Sequence, residues 1–236
     1  MPTPGLLFVS SRIADPKKTS DELYNRFYND EHLPDVLNHA KEKSGYTKLA
    51  LRYKNVNGES VMPYLALYPL RDTVFFSSEK ESLIEDTRKS KTFNGDDCHD
   101  HIEFGSRPYE KIQTFEGYGQ AEKTGDERGH TIVCVAMEPK EGEEHDFDLW
   151  YRLQHLDMLA MCRGYRRTTR YRRLDGVKPQ YLALHEYACE ASELPADQIK
   201  QVVATEWSQK IIKESPIFDR DVFSLIQAQG ETKEKL

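Results

Sequence analysis

Two Tyr-x3-His pairs, Tyr28/His32 and Tyr151/His155, are the residues of this 236-residue chain best suited by type and spacing to proton chemistry. Residues four apart on a helix share one face, so each phenol and imidazole should project together. An imidazole with its ordinary pKa near 6.5 takes or gives a proton around neutrality. A phenol beside it can orient a substrate oxygen or stabilise a developing enolate. Pro34 discourages helix continuation before it, which predicts that His32 sits at or near a helix break and can turn toward a cavity. His155 has no such proline. Asp35, three residues beyond His32, is expected to fix its tautomer. Trp150 is expected to border a second cavity. Asp35, Trp150, Tyr46 and Tyr165 are taken as substrate contacts, and the two pairs as the catalytic groups. The competing expectation is that each pair merely packs a helix end and that the acids face water.

Other clusters argue for less. Cys98-His99-Asp100-His101 has metal-like composition but no second ligand cluster at a recognised spacing, and it follows the polar Asn94-Gly95-Asp96-Asp97; a solvated loop is expected there. Arg163, Arg166, Arg167, Arg170, Arg172 and Arg173 interleave with Tyr165 and Tyr171. They suit an anion-binding wall or, more plainly, ion pairs with the acidic helices of the other of two repeated halves. The chain has no GxxxxGK[ST] or GxGxxG loop, no GxSxG elbow, no HExxH and no CxxCH. No cofactor and no metal are expected.

The elements that must position these residues come in two sets. Tyr-Leu-Ala-Leu occurs at residues 64–67 and again 117 residues later at 181–184. Tyr28-x3-His32-Leu33 is echoed by Tyr151-x3-His155-Leu156, and Gly45-Tyr46 by Gly164-Tyr165. Arg107, Ile112-Gln113 and Gly117 are echoed by Arg220, Leu225-Ile226 and Gly230. Four collinear matches point to an internal duplication. Reading both copies together predicts strands at 6–11 and 131–137, helices at 20–32 and 146–161, and second strands at 46–54 and 165–173. Asn57-Gly58 and Asp175-Gly176 turn the chain into third strands at 64–68 and 181–187. Second helices at 79–91 and 196–213 and last strands at 109–115 and 222–227 complete a βαββαβ order twice. The expected boundaries are a first ferredoxin-like unit at 1–116, a glycine-bearing linker at 117–129, a second unit at 130–231 and a loose tail at 232–236.

Composition bounds the remainder. Ala, Val, Ile, Leu, Met, Phe, Trp, Tyr and Cys make up 38% of the chain, enough for an ordinary core. The net charge of −7 argues against nucleic-acid and anionic-membrane partners. No apolar run approaches the roughly 20 residues of a membrane span, and the start lacks the basic end of a signal peptide. The four widely spaced cysteines suggest a reducing, cytoplasmic setting rather than a disulfide framework, with Cys134 in an apolar run reading as a small buried hydrophobe.

A four-stranded sheet with helices on one face leaves its other face bare, and two such sheets in one chain can cover each other. With that duplication, the stretch Tyr28-Asn29-Asp30-Glu31-His32-Leu33-Pro34-Asp35-Val36-Leu37 and its echo Tyr151–Leu159 resemble the dimeric α/β-barrel superfamily, and within it the EthD-like fungal tandem proteins. The resemblance implies an α+β fold of two tandem ferredoxin-like βαββαβ units packed sheet to sheet as an intramolecular dimeric α/β barrel. It further implies a ligand cavity in each half but no single reaction. The leading expectation is a cofactor-independent enzyme of secondary metabolism doing proton-transfer chemistry (cyclisation, dehydration, decarboxylation or isomerisation) on a small aromatic or polyketide-like molecule. The alternatives are a cofactor-free monooxygenase and a non-catalytic small-molecule-binding protein. The expected partner is that small molecule; the chain is a monomeric pseudo-dimer, with further homodimerisation left open.

Overall fold

The computed structural model describes residues 1–117 and 128–236 and divides them into two compact units, Met1–Glu110 with Leu225–Leu236, and Lys111–Ser224. Gly119 and Gly125 of the expected linker lie outside the described residues. In the first unit, β1 (Gly5–Ile13) pairs antiparallel with β3 (Tyr64–Leu70) and β4 (Ile102–Phe115), and β3 pairs with β2 (Leu49–Asn55). In the second, β5 (Thr131–Glu138) pairs antiparallel with β7 (Tyr181–Tyr187) and β8 (Ile217–Gly230), and β7 with β6 (Tyr165–Arg173). Strands β4 and β8 are each 14 residues long, and each ends in the other unit. The fold is α+β with antiparallel sheets.

Each unit carries one long helix interrupted by a π turn. In the first, α1 (Asp21–Arg26) passes through a π turn at Phe27–His32 into α2 (Leu33–Glu42). In the second, α5 (Glu144–Trp150) passes through a π turn at Tyr151–His155 into α6 (Leu156–Ala160). Ser20 caps the first, accepting the Leu23 N–H at 3.1 Å, with Asp21 and Glu22 favourably placed at the positive end. The expected break at Pro34 does not occur. The wide turn already shifts the bonding by one residue, Leu33 N–H donating to the Tyr28 carbonyl, and Pro34 then occupies the first turn of α2, where a missing N–H is tolerated. Leu156 N–H donates likewise to the Tyr151 carbonyl with no proline nearby. The π turn therefore does not depend on the proline.

The second helices are each broken. The first unit has α3 (Phe75–Ser78) and α4 (Lys80–Thr87), and the second α7 (Ala196–Val203) and α8 (Glu206–Glu214), where Thr205 caps the new start by accepting the Ser208 N–H. Gly45 and Gly164, with φ of 67° and 78°, end the first helices in the left-handed region that favours glycine. Apolar residues of β1, β2, β3, α1 and α2 form the first core, including Leu7, Tyr24, Phe27, Leu33, Val36 and Ala66. Val133, Phe147, Trp150, Leu156 and Ala183 lie in the second. The tail expected to be loose ends on Leu236, which is buried.

Candidate functional site

A cavity of about 240 Å³ opens in the first unit between its sheet and helices. Leu7 and Val9 of β1, Tyr68 of β3 and Phe104 and Ser106 of β4 line it from the sheet; His32, Val36, Leu83 and Thr87 line it from the helices. Lys80, Ile84, Cys98 and His99 complete the wall. An apolar cavity of about 150 Å³ accepts benzene, so this space takes one or two fused rings. The equivalent cavity of the second unit, lined by Val133, Val135, Trp150, Tyr151, His155 and His185 among others, measures about 60 Å³. It holds a few waters and no ring.

His32 lies on the π turn with its ring stacked on Phe27 at 5.2 Å and edge-on to Tyr28 at 5.3 Å. Its Nδ1 is buried and has no hydrogen-bond partner. Burial, then the Arg52 guanidinium, lower its pKa to about 4, with Glu31 opposing and His99 adding. The imidazole is therefore neutral at pH 7. Asp35, expected to fix its tautomer, is exposed and leaves Nδ1 unpartnered; partial desolvation and Glu31 raise its pKa. Tyr28 shares the face of His32, as the spacing requires, but its hydroxyl donates to Ser11 Oγ at 3.2 Å, away from the cavity lining. Burial raises that phenol to about 12, against the effect of Ser11 and Arg52. Tyr46 is buried beside Phe75 with its hydroxyl 2.9 Å from His39 Nδ1, and is not part of the cavity wall.

The second unit repeats the plan with its space filled. Trp150, fully buried, packs on His155 at 4.2 Å and donates its indole N–H to Ser208 Oγ at 3.0 Å. His155 is buried, its Nδ1 lacks a partner, and burial followed by His185 and Arg170 holds its pKa well below the ordinary value. Tyr151 is edge-on to His155 at 5.3 Å and lines the same small space. Tyr165 is outside it, donating to the Phe115 carbonyl at 3.0 Å. Of the eight expected site residues, the structure thus brings His32 to the large cavity and Tyr151, His155 and Trp150 to the small one. Tyr28 stands behind His32, and Asp35, Tyr46 and Tyr165 lie elsewhere.

In each unit one buried arginine stacks on the tyrosine of the pair; Arg52 carried no expectation, whereas Arg170 stood in the run read as an anion-binding wall or an ion-pairing stretch. Arg52 of β2 stacks over the Tyr28 ring at 4.4 Å, and Arg170 of β6 over the Tyr151 ring at 4.0 Å. Arg170 donates to Asp148 Oδ1 at 2.9 Å and to Gln113. Arg52 donates instead to the amide oxygens of Asn25 and Asn29. Asn25 and Asp148 hold the same repeat position, three residues before each tyrosine. The first unit therefore keeps near His32 a cation that donates to the neutral amides of Asn25 and Asn29, while the second neutralises its counterpart with Asp148. Of the arginine run expected to pair with acidic helices of the other copy, Arg167 pairs with Glu116, the last residue of the expected first copy, and with Glu186, and Arg170 pairs with Asp148.

The segment expected to be a solvated loop, Cys98–His101, forms one wall of the large cavity through Cys98 and His99. Asp97, Cys98 and His99 bring ligand atoms within 4.8 Å of one another. They do not fit a metal ion: the Asp97 carboxylate is taken by Arg88 and His99, and burial, then Asp97, push the Cys98 thiol up to about 12. All four cysteines carry free thiols, and no helix among the described residues is long and apolar enough to cross a membrane.

No protein-family model matches the chain. Core atranone cluster protein 1 of the fungus Stachybotrys chlorohalonatus is 28% identical over 202 residues, covering 78% of this chain and 82% of that protein. An anthrone oxidase-like protein has a similar structure, with a TM-score of 0.58 and 10% identity over 100% of this chain and 96% of that one. A provisionally named monooxygenase of Lactobacillus acidophilus gives 0.57 and 11%, covering 97% of both chains. A mutant chlorite dismutase of Candidatus Nitrospira defluvii gives 0.57 and 8%, covering 96% of this chain and 93% of that one. At these identities the likeness to solved structures shows the fold alone.

Proposed function

We propose that the chain is a cofactor-independent monooxygenase acting on a small aromatic or polyketide-like metabolite in the cavity of the first unit. We read the chain as a duplicated EthD-like βαββαβ module, residues 1–116 and 130–231, working as a monomeric pseudo-dimer. The observation that carries the activity is His32: a neutral imidazole with an unpartnered buried nitrogen, in the one of the two repeat cavities large enough for a ring. The names of the similar structures, an anthrone oxidase-like protein and a monooxygenase, favour oxygen chemistry over the proton-transfer reactions expected first. The fungal relative's name places that protein with a metabolite cluster.

The reaction consistent with this site begins with proton removal. His32 takes a proton from an activated methylene or ring position of the bound aromatic, and the carbanion so formed is delocalised as an enolate. Imidazolium and enolate arise together, so their attraction offsets the burial that otherwise holds His32 unprotonated. Dioxygen is the oxidant. It takes the electrons of the enolate, one oxygen atom bonds to the carbon, and the second leaves as water with the two hydrogens the substrate has lost, both from a methylene or one from the ring and one from its hydroxyl. Tyr28 orients the ring of His32 by packing rather than by a hydrogen bond. Arg52, behind Tyr28, favours the anion electrostatically.

An oxygen electrode with 1-naphthol, a two-ring hydroxylated aromatic, as probe tests this. The expected result is oxygen consumption that His32→Ala removes, with one atom of labelled dioxygen in the product and one in water. A second reading, proton-transfer chemistry alone, rests on the same neutral imidazole; product formation without oxygen uptake would establish it. Binding without turnover in either assay would leave a ligand-binding protein.

A further inference from the structure

The lining of the large cavity is chemically one-sided. It includes two imidazoles, His32 and His99, and one ammonium, Lys80, and no carboxylate, in a protein whose net charge is −7. Lys80 begins α4, and no ion pair holds it among the described residues. His99 is held from behind. Its Nδ1 is 2.9 Å from Asp97 Oδ1, its own backbone N–H donates to the same oxygen, and its ring packs edge-on against Phe104 at 5.2 Å. Burial raises the Asp97 carboxyl, but the His99 N–H and the Arg88 guanidinium outweigh it and bring it down to about 2. An ionised carboxylate at Nδ1 selects the tautomer that donates there and leaves Nε2 as the free face of the ring. The cavity thus presents a buried imidazole on the π turn and a carboxylate-oriented imidazole with an ammonium on its other wall.

We propose that the ligand of this cavity is a hydroxylated aromatic of one or two rings, its hydroxyl bound toward the oxyanion by Lys80 and His99, with Asp97 positioning His99. The proposal rests on the oxygenation reading only in using the same cavity. Ionising the hydroxyl pushes electron density into the ring and prepares the carbon facing His32 for either reaction considered above. In this arrangement His99, which is more than half exposed at its side chain, also connects the cavity to water as a proton exit.

Binding of 1-naphthol and of naphthalene, measured under argon so that no oxygenation occurs, tests the proposal. The two probes match in size and differ in the hydroxyl. The wild-type protein is expected to bind 1-naphthol at least tenfold more tightly and to show the naphtholate absorption band at pH 7. Lys80→Gln and His99→Asn should each weaken 1-naphthol about tenfold, and Asp97→Asn about threefold, while naphthalene affinity stays put and reports that the cavity is still folded. Equal binding of the two probes, or variants that weaken both alike, would overturn the oxyanion site. Unchanged 1-naphthol affinity in Asp97→Asn would overturn the positioning role. Tight 1-naphthol binding with no oxygen uptake from any hydroxylated aromatic would sink the monooxygenase reading and leave this site standing.

Discussion

The first and second units build the same π turn, place the same Tyr-x3-His pair on it and lay the same buried arginine over the tyrosine, yet they end with cavities of about 240 and 60 Å³. Two changes account for the divergence. Phe27, which stacks on His32, is replaced at the equivalent position by the larger Trp150, and Ile199, Val203 and Ile212 of α7 and α8 fill space from the other side. Asn25 is replaced by Asp148, so the second arginine gains a carboxylate where the first has amides. The same local frame thus surrounds a filled interior in the second unit and an electropositive hollow in the first. The lesson is that a scaffold residue found in both units, such as the histidine of each pair, acquires chemistry only where neighbours leave it room and an uncompensated charge.

The sharpest break in this comparison comes from the two histidines. His32→Ala should lower turnover about 10²–10⁴-fold, the usual contribution of a general base, whereas His155→Ala should change it less than about threefold; steady-state oxygen uptake compares them. Exchanging the equivalent residues Asn25 and Asp148 is the next test. Asn25→Asp should pair Arg52 and let the pKa of His32 rise from about 4 toward the ordinary 6.5, read by NMR titration, with turnover falling about tenfold. Asp148→Asn should leave turnover intact and lower Tm by a few degrees, because Arg170 loses its charged partner. The smallest effect concerns pH. His32 and His185 have folded values of about 4 and about 3, below the unfolded value near 6.5, so the unfolded chain binds more protons across that interval. Stability should therefore rise with pH through that window and fall as the solution is acidified below about 6.5. Thermal melts between pH 4 and 7 check it, and the dependence should flatten partly in Asn25→Asp, in the first unit's share alone.

Much of the frame was legible in the residues. The apolar runs at 6–11 and 131–137, the turn glycines Gly45 and Gly164, and the repeated Tyr-Leu-Ala-Leu lie in the elements expected of them. The helix through Pro34 was not legible, because a π turn has no periodicity of its own and proline there reads as a stop. The early start of β4 at Ile102 was hidden by Glu103, Gly105, Ser106 and Pro108, which break the alternation of a strand. For the site, spacing identified the shared face of Tyr28 and His32 but not the direction of the phenol, which Ser11 decides from 17 residues away. His99 and Lys80 were invisible for a similar reason: each joins the wall through tertiary packing, from a polar stretch and a helix start that by themselves resemble solvated surface. The asymmetry between the units was present in sequence as Asn25 against Asp148, and its meaning required knowing that Arg52 and Arg170 lie beneath them.

The account is tested most directly by a crystal structure of the protein soaked with 1-naphthol under argon. One molecule per chain is expected, its ring against His32 and its oxygen toward His99 and Lys80, with nothing beside His155. Density against His155, or an empty cavity at His32 with the probe bound elsewhere, would contradict it.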